Sequence, residues 1–244
     1  MTSFRPGYNN NQQQQQQEEH SDDEKIESPV ALPAKITSVQ VQKKHKDRYS
    51  LFADDQFLIG ISEDTLIESN LKKGDAVDEG TFENLIKTEY KSKLRFWLID
   101  RLASRDHSRA ELYRKAVQKG YDKNLTNALL DQLESADYLS DERFTKAFVR
   151  DKHKLNKWGP RKIQAALQQK GITSDVAKKE LDNQLDKQDL YKQAKTLLQK
   201  KRNRYEREPD FMKRKQKMMR FLAGRGFSGD VLFNAVDDVL EAWK

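Results

Sequence analysis

The sequence predicts a mainly α-helical chain: three tandem three-helix repeats in an elongated, curved array, preceded by a small β-rich N-terminal unit and a disordered tail. Three observations predict it. Gly120, Gly171 and Gly226 stand 51 and 55 residues apart in matching surroundings. Residues 35–61 instead carry short apolar, β-branched runs between polar turn residues. Ahead of both lies a glutamine run, Gln12 to Gln17, followed by acidic residues. The expected boundaries are 1–33 for the tail, 34–81 for the β-rich unit, and 82–139, 140–187 and 188–244 for the repeats.

The tail contains too little apolar surface to offset the entropy of ordering it. Residues 1–33 carry two basic and six acidic side chains, so this segment is −4 and the remainder of the +7 chain is +11. A body this basic favours a polyanionic partner or an acidic protein face, with plain solubility as the alternative. The 244 residues include no cysteine, which excludes disulfides and thiolate metal sites. The N-terminus has no apolar signal region, and no stretch approaches the roughly 20 apolar residues that span a bilayer. The expectation is a cytoplasmic protein with no membrane association.

In the β-rich unit, Ile36, Val39 and Val41 form one run, Tyr49, Leu51 and Phe52 a second, and Phe57 to Ile61 a third. Three strands are expected, with Asp54-Asp55 as a hairpin turn rather than a catalytic carboxylate pair. Ser62 suits the N-cap of a short helix reaching Ser69, with Glu63 and Asp64 in its first turn. Leu71-Lys72-Lys73-Gly74 reads as a turn.

From Phe82 onward the pattern is helical. Aligned on the three glycines, position −1 is Lys119, Lys170 or Arg225, and position +1 is Tyr121, Ile172 or Phe227. Position −8 is Leu112, Ile163 or Met218, and position −4 is Ala116, Leu167 or Leu222. Positions −8 and −4 share one helix face. Glycine just past a helix end takes the left-handed conformation that closes it, and the basic residue before it faces the negative end of the helix dipole. The next helix is expected to start near Asp122, Ser174 or Ser228. Apolar positions +5 (Leu125, Val176, Val231) and +10 (Leu130, Leu181, Val236) then follow. An amphipathic helix precedes each pair, carrying Leu94, Leu98 and Leu102, then Phe144, Ala147 and Phe148, then Leu190, Ala194, Leu197 and Leu198. One such unit buries little alone, and stacked copies stabilise each other.

These residues resemble the RecX regulators of the bacterial recombinase RecA. The resemblance rests on Leu102-Ala-Ser-Arg-Asp-His-Ser-Arg-Ala-Glu-Leu112, Lys119-Gly120-Tyr121, Ser140-Asp-Glu-Arg-Phe144, Ala147-Phe148-Val149-Arg150, Gly159-Pro160-Arg161-Lys162-Ile163 and Leu167-Gln168-Gln169-Lys170-Gly171-Ile172. It covers residues 92–180 well and the third copy more loosely. The β-rich segment, with Arg48-Tyr49, Asp54-Asp55 and Leu71-Lys72-Lys73-Gly74, looks like the N-terminal extension of longer family members. The glutamine tail stands outside the pattern. The resemblance implies a monomeric, non-enzymatic protein, without cofactor, that binds RecA filaments on single-stranded DNA. It implies restraint of RecA's ATPase, strand exchange and coprotease activities, in DNA repair, recombination and the SOS response.

Three groups of candidate contact residues follow. Arg150, Lys152, Lys154, Lys157, Arg161 and Lys162 surround Trp158, which reads either as the anchor of a contact loop or as a core plug among solvated charges. Residues 195–217 hold ten basic and three acidic side chains, among them Lys200, Lys201, Arg202, Arg204, Lys213, Arg214 and Lys215. They read as a basic rim for partner or DNA backbone, or as an exposed connection kept soluble by charge. Arg105 and Arg109 flank Ser108, which forms a capping-box pattern with Glu111. The four histidines show no metal spacing. Direct nucleic-acid binding by the tri-helical units is the alternative function, and a scaffold acting through its tail ranks behind it. An enzyme ranks last, since no phosphate loop or nucleophile motif is found.

Overall fold

Alternating apolar side chains let residues 34–62 cover one buried face as a sheet. The computed structural model describes residues 27–243. In it β1 (Ala34–Val41), β2 (Arg48–Ala53) and β3 (Gln56–Ser62) pair antiparallel, and β4 (Ala76–Val77) pairs with β1, giving the order β3-β2-β1-β4. The fourth strand corrects the expected three; two residues are too few to show a period. Asp54 and Asp55 both have positive φ, 45° and 61°, as a two-residue hairpin turn requires. The Asp54 carboxylate accepts from the Lys35 amide at 3.1 Å, so it builds the turn. Ser62 caps α1 (Glu63–Ser69) by accepting from the Thr65 amide.

The glutamine run lies in residues 1–26, outside the described residues. The expected tail boundary at residue 33 is corrected by Val30, which is only 6% exposed and belongs to the sheet's apolar core, with Leu32 packed against it.

Helix α2 (Glu79–Ser104) begins three residues before Phe82, where the Asp78 carboxylate accepts from the Thr81 amide. The chain divides into two compact units at Ser92/Lys93, within this helix. In the first unit, Phe82 and Leu85 pack with Ile36, Leu51, Leu58 and Ile61. Glu89, almost fully buried, accepts from Arg48 at 2.9 Å, the Ser62 amide at 2.8 Å and the Thr65 hydroxyl at 2.9 Å. A buried carboxylate is tolerated when it is paired and bonded in this way.

The second unit holds three successive apolar cores. Leu94 and Leu98 pack with α3 (Arg109–Gln118) and α4 (Lys123–Ser135). Helix α5 (Asp141–Lys154) packs with α6 (Pro160–Gln169) and α7 (Ser174–Gln184). Helix α8 (Lys187–Gln199) packs with α10 (Phe211–Arg225) and α11 (Gly229–Glu241). Positions −8 and −4 are fully buried in all three copies.

The glycine columns are helix stops. Gly120, Gly171 and Gly226 have φ of 90°, 85° and 93°. In each copy the glycine amide donates to the carbonyl three residues back, and the +1 amide donates to the −4 carbonyl: Tyr121 to Ala116, Ile172 to Leu167 and Phe227 to Leu222. This double bond set is the Schellman arrangement. Asp122 and Ser228 are N-caps as expected, but the cap before α7 is Thr173, one residue ahead of Ser174. The third copy contains an additional short helix, α9 (Arg202–Glu206), within the basic connection. Tyr205 plugs that helix into the third core.

One joint links successive copies twice. In the first and second copies the residue twelve before the glycine caps a helix and bonds to the carbonyl just before the next copy's glycine. The Ser108 hydroxyl donates to the Lys170 carbonyl at 2.6 Å, and the Gly159 amide donates to the Arg225 carbonyl at 2.8 Å. Two residues further along, Ala110 lies against Gly171, and the Arg161 amide donates to the Gly226 carbonyl at 3.1 Å.

Candidate partner-binding surface

The first basic group runs from the last turns of α5 (Arg150, Lys152, Lys154) through the loop (Lys157) to the first turn of α6 (Arg161, Lys162), at the joint between the second and third copies. Helix α5 ends at Leu155, whose amide donates to Asp151. The chain then turns through Lys157, held at φ 56°, and returns so that the Trp158 amide donates to the Lys152 carbonyl at 3.1 Å. A non-glycine residue in this region is uncommon and needs surrounding support. Support comes from the third copy: the Arg225 guanidinium donates to the Asn156 carbonyl at 3.0 Å while its own carbonyl accepts from Gly159.

Trp158 is half-buried and packs on the second core. The Lys162 ammonium lies 4.6 Å from its ring centroid and that of Lys152 5.3 Å, both within cation–π range. The indole therefore closes the core edge. The exposed apolar group of the loop is Leu155, 78% exposed, which the sequence reading did not single out. Lys154, Lys157 and Arg161 are exposed and form no ion pair among the described residues, whereas Arg150 pairs with Asp151 at 3.1 Å. Neighbouring His153 faces the Trp158 carbonyl at 3.4 Å; burial lowers its pKa, and Lys157 and Lys154 act in the same direction.

The second basic group is partly spent on internal contacts. Arg202 pairs with Glu206 at 2.7 Å and lies over the Trp243 ring. Lys201 lies over Phe221, Lys215 pairs with Asp237 at 2.5 Å, and Arg214 donates to the Glu208 carbonyl. Lys217 pairs with Glu208, whose carboxyl it holds below its ordinary pKa. Lys200, Arg204 and Lys213 remain exposed without an ion pair among the described residues. These three remain available to an outside anion.

The third group is structural in its contacts. Arg109 pairs with Asp131 and Glu134, both at 2.7 Å, tying α3 to α4, and its amide donates to Asp141. Ser108 and Glu111 form the capping box. Burial pushes the Glu111 carboxyl up, but the Lys170 ammonium at 2.5 Å and Arg105 at 3.5 Å outweigh it and hold the group below its usual value. His107 is buried beneath this cluster, and burial lowers its pKa. Among the described residues no three acidic or histidine side chains gather to hold a metal, and no helix is long and apolar enough to cross a membrane.

Fold and surface together define a class: a small sheet unit followed by tandem helical repeats that carry a braced, cation-rich loop where two copies join. Comparison with known proteins makes the assignment specific. Residues 34–78 match the family profile for the regulatory protein RecX N-terminal domain. Residues 140–181 match the second RecX three-helix domain, and residues 188–236 the third. The regulatory protein RecX of Clostridium botulinum (strain Alaska E43 / Type E3) is 31% identical over 208 residues, covering 85% of this chain and 97% of the relative. That of Clostridioides difficile (strain 630) is 28% identical over 205 residues, covering 84% and 95%. A crystal structure of regulatory protein RecX superposes with a TM-score of 0.70 at 24% identity, over 85% of this chain and 99% of that one, and shows the same fold. The chain belongs to the RecX family of regulatory proteins.

Proposed function

We propose that this chain is a non-enzymatic regulator that binds the RecA filament on single-stranded DNA. It acts mainly as an inhibitor of RecA's ATPase, strand exchange and coprotease activities, as a cytoplasmic monomer serving DNA repair, recombination and the SOS response. Family membership supplies the regulatory role. The observation that carries the binding mode is the joint: the Ser108–Lys170 and Gly159–Arg225 bonds recur at the same station of successive copies. Copies fixed in a repeated register can meet a filament that itself repeats. Lys154, Lys157 and Arg161 stand exposed beside the second joint, where an acidic partner face can pair with them.

The test is a titration of RecA's single-strand-dependent ATPase, beside the charge-reversed variant Lys154→Glu, Lys157→Glu, Arg161→Glu. Wild type should inhibit at substoichiometric ratios and the variant only at higher ones. Unchanged ATPase and strand exchange at equimolar protein, with no filament pull-down, would sink the reading.

A second reading, direct binding to DNA, is favoured by Lys200, Arg204 and Lys213. It requires tight binding to bare DNA with a steep loss on adding salt. Such contacts would be sequence-independent, because phosphate contacts position without specifying.

A further inference from the structure

We propose that Leu155 is the apolar anchor of a preformed docking knob whose partner is an acidic protein surface bearing an apolar pocket, not a nucleic-acid backbone. The inference rests on the proposed function above, in which that protein is RecA. A single exposed leucine is ordinary on a protein surface. Leu155 differs in its setting. It is 78% exposed at the end of α5, on a loop whose backbone is fixed at several points. The Trp158 amide is bonded to Lys152, the Asn156 carbonyl to Arg225, and the Gly159 amide to Arg225. Lys157 is held in the left-handed region between them. The His153 carbonyl also accepts from Gln193 of α8 at 3.2 Å, so the third copy grips both sides of the loop. A loop already ordered loses little entropy on binding, so whatever it presents is preorganised.

What it presents is an apolar side chain with cations around it in sequence: Lys154 on one side, Lys157 and Arg161 on the other, all exposed and without ion pairs among the described residues. An apolar centre inside a polar rim is the anatomy of a protein–protein contact. The rim cations fit an acidic surface, which also steers the encounter. A phosphate backbone would engage the cations equally well but offers Leu155 no apolar partner. Trp158 cannot take the anchor's place, because its ring lies on the second core beneath Lys152 and Lys162.

The experiment compares wild type, Leu155→Ser and Leu155→Met for binding to RecA filaments on single-stranded DNA and to the bare strand, in one buffer. Both variants should fold, since the side chain is exposed; thermal melts check this. Leu155→Ser is expected to lose about tenfold or more in filament affinity, the scale of one buried leucine. Its binding to bare strand should not change, and Leu155→Met should keep most filament affinity. Wild-type filament binding by Leu155→Ser would overturn the knob while leaving the proposed function standing. Equal weakening on filament and bare strand would make nucleic acid the occupant and overturn it too. Absence of filament binding by wild type would remove the proposed function, and the knob with it.

Discussion

The Gly159 amide donates to the Arg225 carbonyl at 2.8 Å, and at that approach the two segments leave no room for a side chain. A Cβ on Gly159 would lie 2.6 Å from the carbonyl carbon and oxygen of Gly226 and 2.7 Å from the Phe227 nitrogen. All three are backbone atoms inside a helix stop, so they cannot give way singly. The same station one copy earlier is Ser108, which makes its bond to the Lys170 carbonyl through its side-chain hydroxyl rather than its amide. The two joints are thus equivalent in position and different in the group that makes the bond.

Gly159→Ala is therefore expected to destabilise the protein by ~1–3 kcal/mol, the usual range for overpacking a closed contact. Gly120→Ala is the comparison. Gly120 has positive φ where Gly159 does not, but a Cβ on Gly120 meets nothing within 4 Å, so conformational strain alone should cost ~1 kcal/mol. Urea denaturation of both variants measures the difference. A Gly159→Ala variant no less stable than Gly120→Ala would show that the joint yields freely.

Ser108 offers a second measure of the joint. Its hydroxyl oxygen accepts from the Glu111 amide at 3.2 Å while its proton goes to Lys170 of the next copy. Ser140 caps α5 in the same way, accepting from Arg143 at 3.2 Å, and among the described residues it makes no cross-copy bond. Ser140→Ala should cost ~1 kcal/mol for the cap. Ser108→Ala should cost about 1 kcal/mol more, for the additional lost hydrogen bond. Equal losses would mean that the cross-copy bond contributes nothing to stability.

Residues differ in how much of this the sequence can display. Gly120, Gly171 and Gly226 are legible because a left-handed helix stop restricts residue type at one position and marks its neighbours in a fixed order. The sheet's turn at Asp54-Asp55 is legible for the same local reason. Gly159 is not: beside Pro160 it looks like any helix start, and its real constraint comes from Gly226, 67 residues away. Tyr205 is hidden among arginines, because a lone aromatic in a basic run has no period to reveal burial. In the loop, tryptophan draws attention by size, whereas exposure decides which group meets a partner, and exposure belongs to the fold. That is why Leu155 escaped and Trp158 did not. Of the basic candidates, Arg109 and Lys215 carry the same charge as Lys154 and Lys213 but are already paired within the fold.

Acid should weaken the helical unit through two histidines. Burial lowers the pKa of both His107 and His153 below the ordinary value of 6.5. Each then binds its proton more readily in the unfolded chain, so stability rises with pH across the window. Their contribution is complete above about pH 6.5, the unfolded value, and is lost as pH falls from there through the lowered folded values. Thermal melts from pH 7.5 to 5 should show a falling midpoint. His107→Asn, which keeps a donor for the Arg105 carbonyl that now faces His107 at 3.0 Å, should flatten that fall. An unaltered slope in this variant would place the acid sensitivity elsewhere.

The basic connection separates charge that is available from charge that is engaged. Lys200, Arg204 and Lys213 are exposed without ion pairs among the described residues, whereas Arg202 and Lys215 are paired with Glu206 and Asp237. Only the first set can release counterions from a bound strand without first breaking an internal contact. If this surface meets single-stranded DNA, each phosphate contact adds roughly 0.7 to the slope of log affinity against log salt. The triple variant Lys200→Gln, Arg204→Gln, Lys213→Gln should then reduce that slope by about 2. The pair Arg202→Gln, Lys215→Gln should leave the slope nearly unchanged and shift the thermal midpoint slightly instead, as expected for exposed ion pairs. Fluorescence anisotropy of a labelled oligonucleotide across a salt series reads both. Equal slope changes in the two variants would mean that the strand senses only total charge, and the distinction between engaged and available cations would fail.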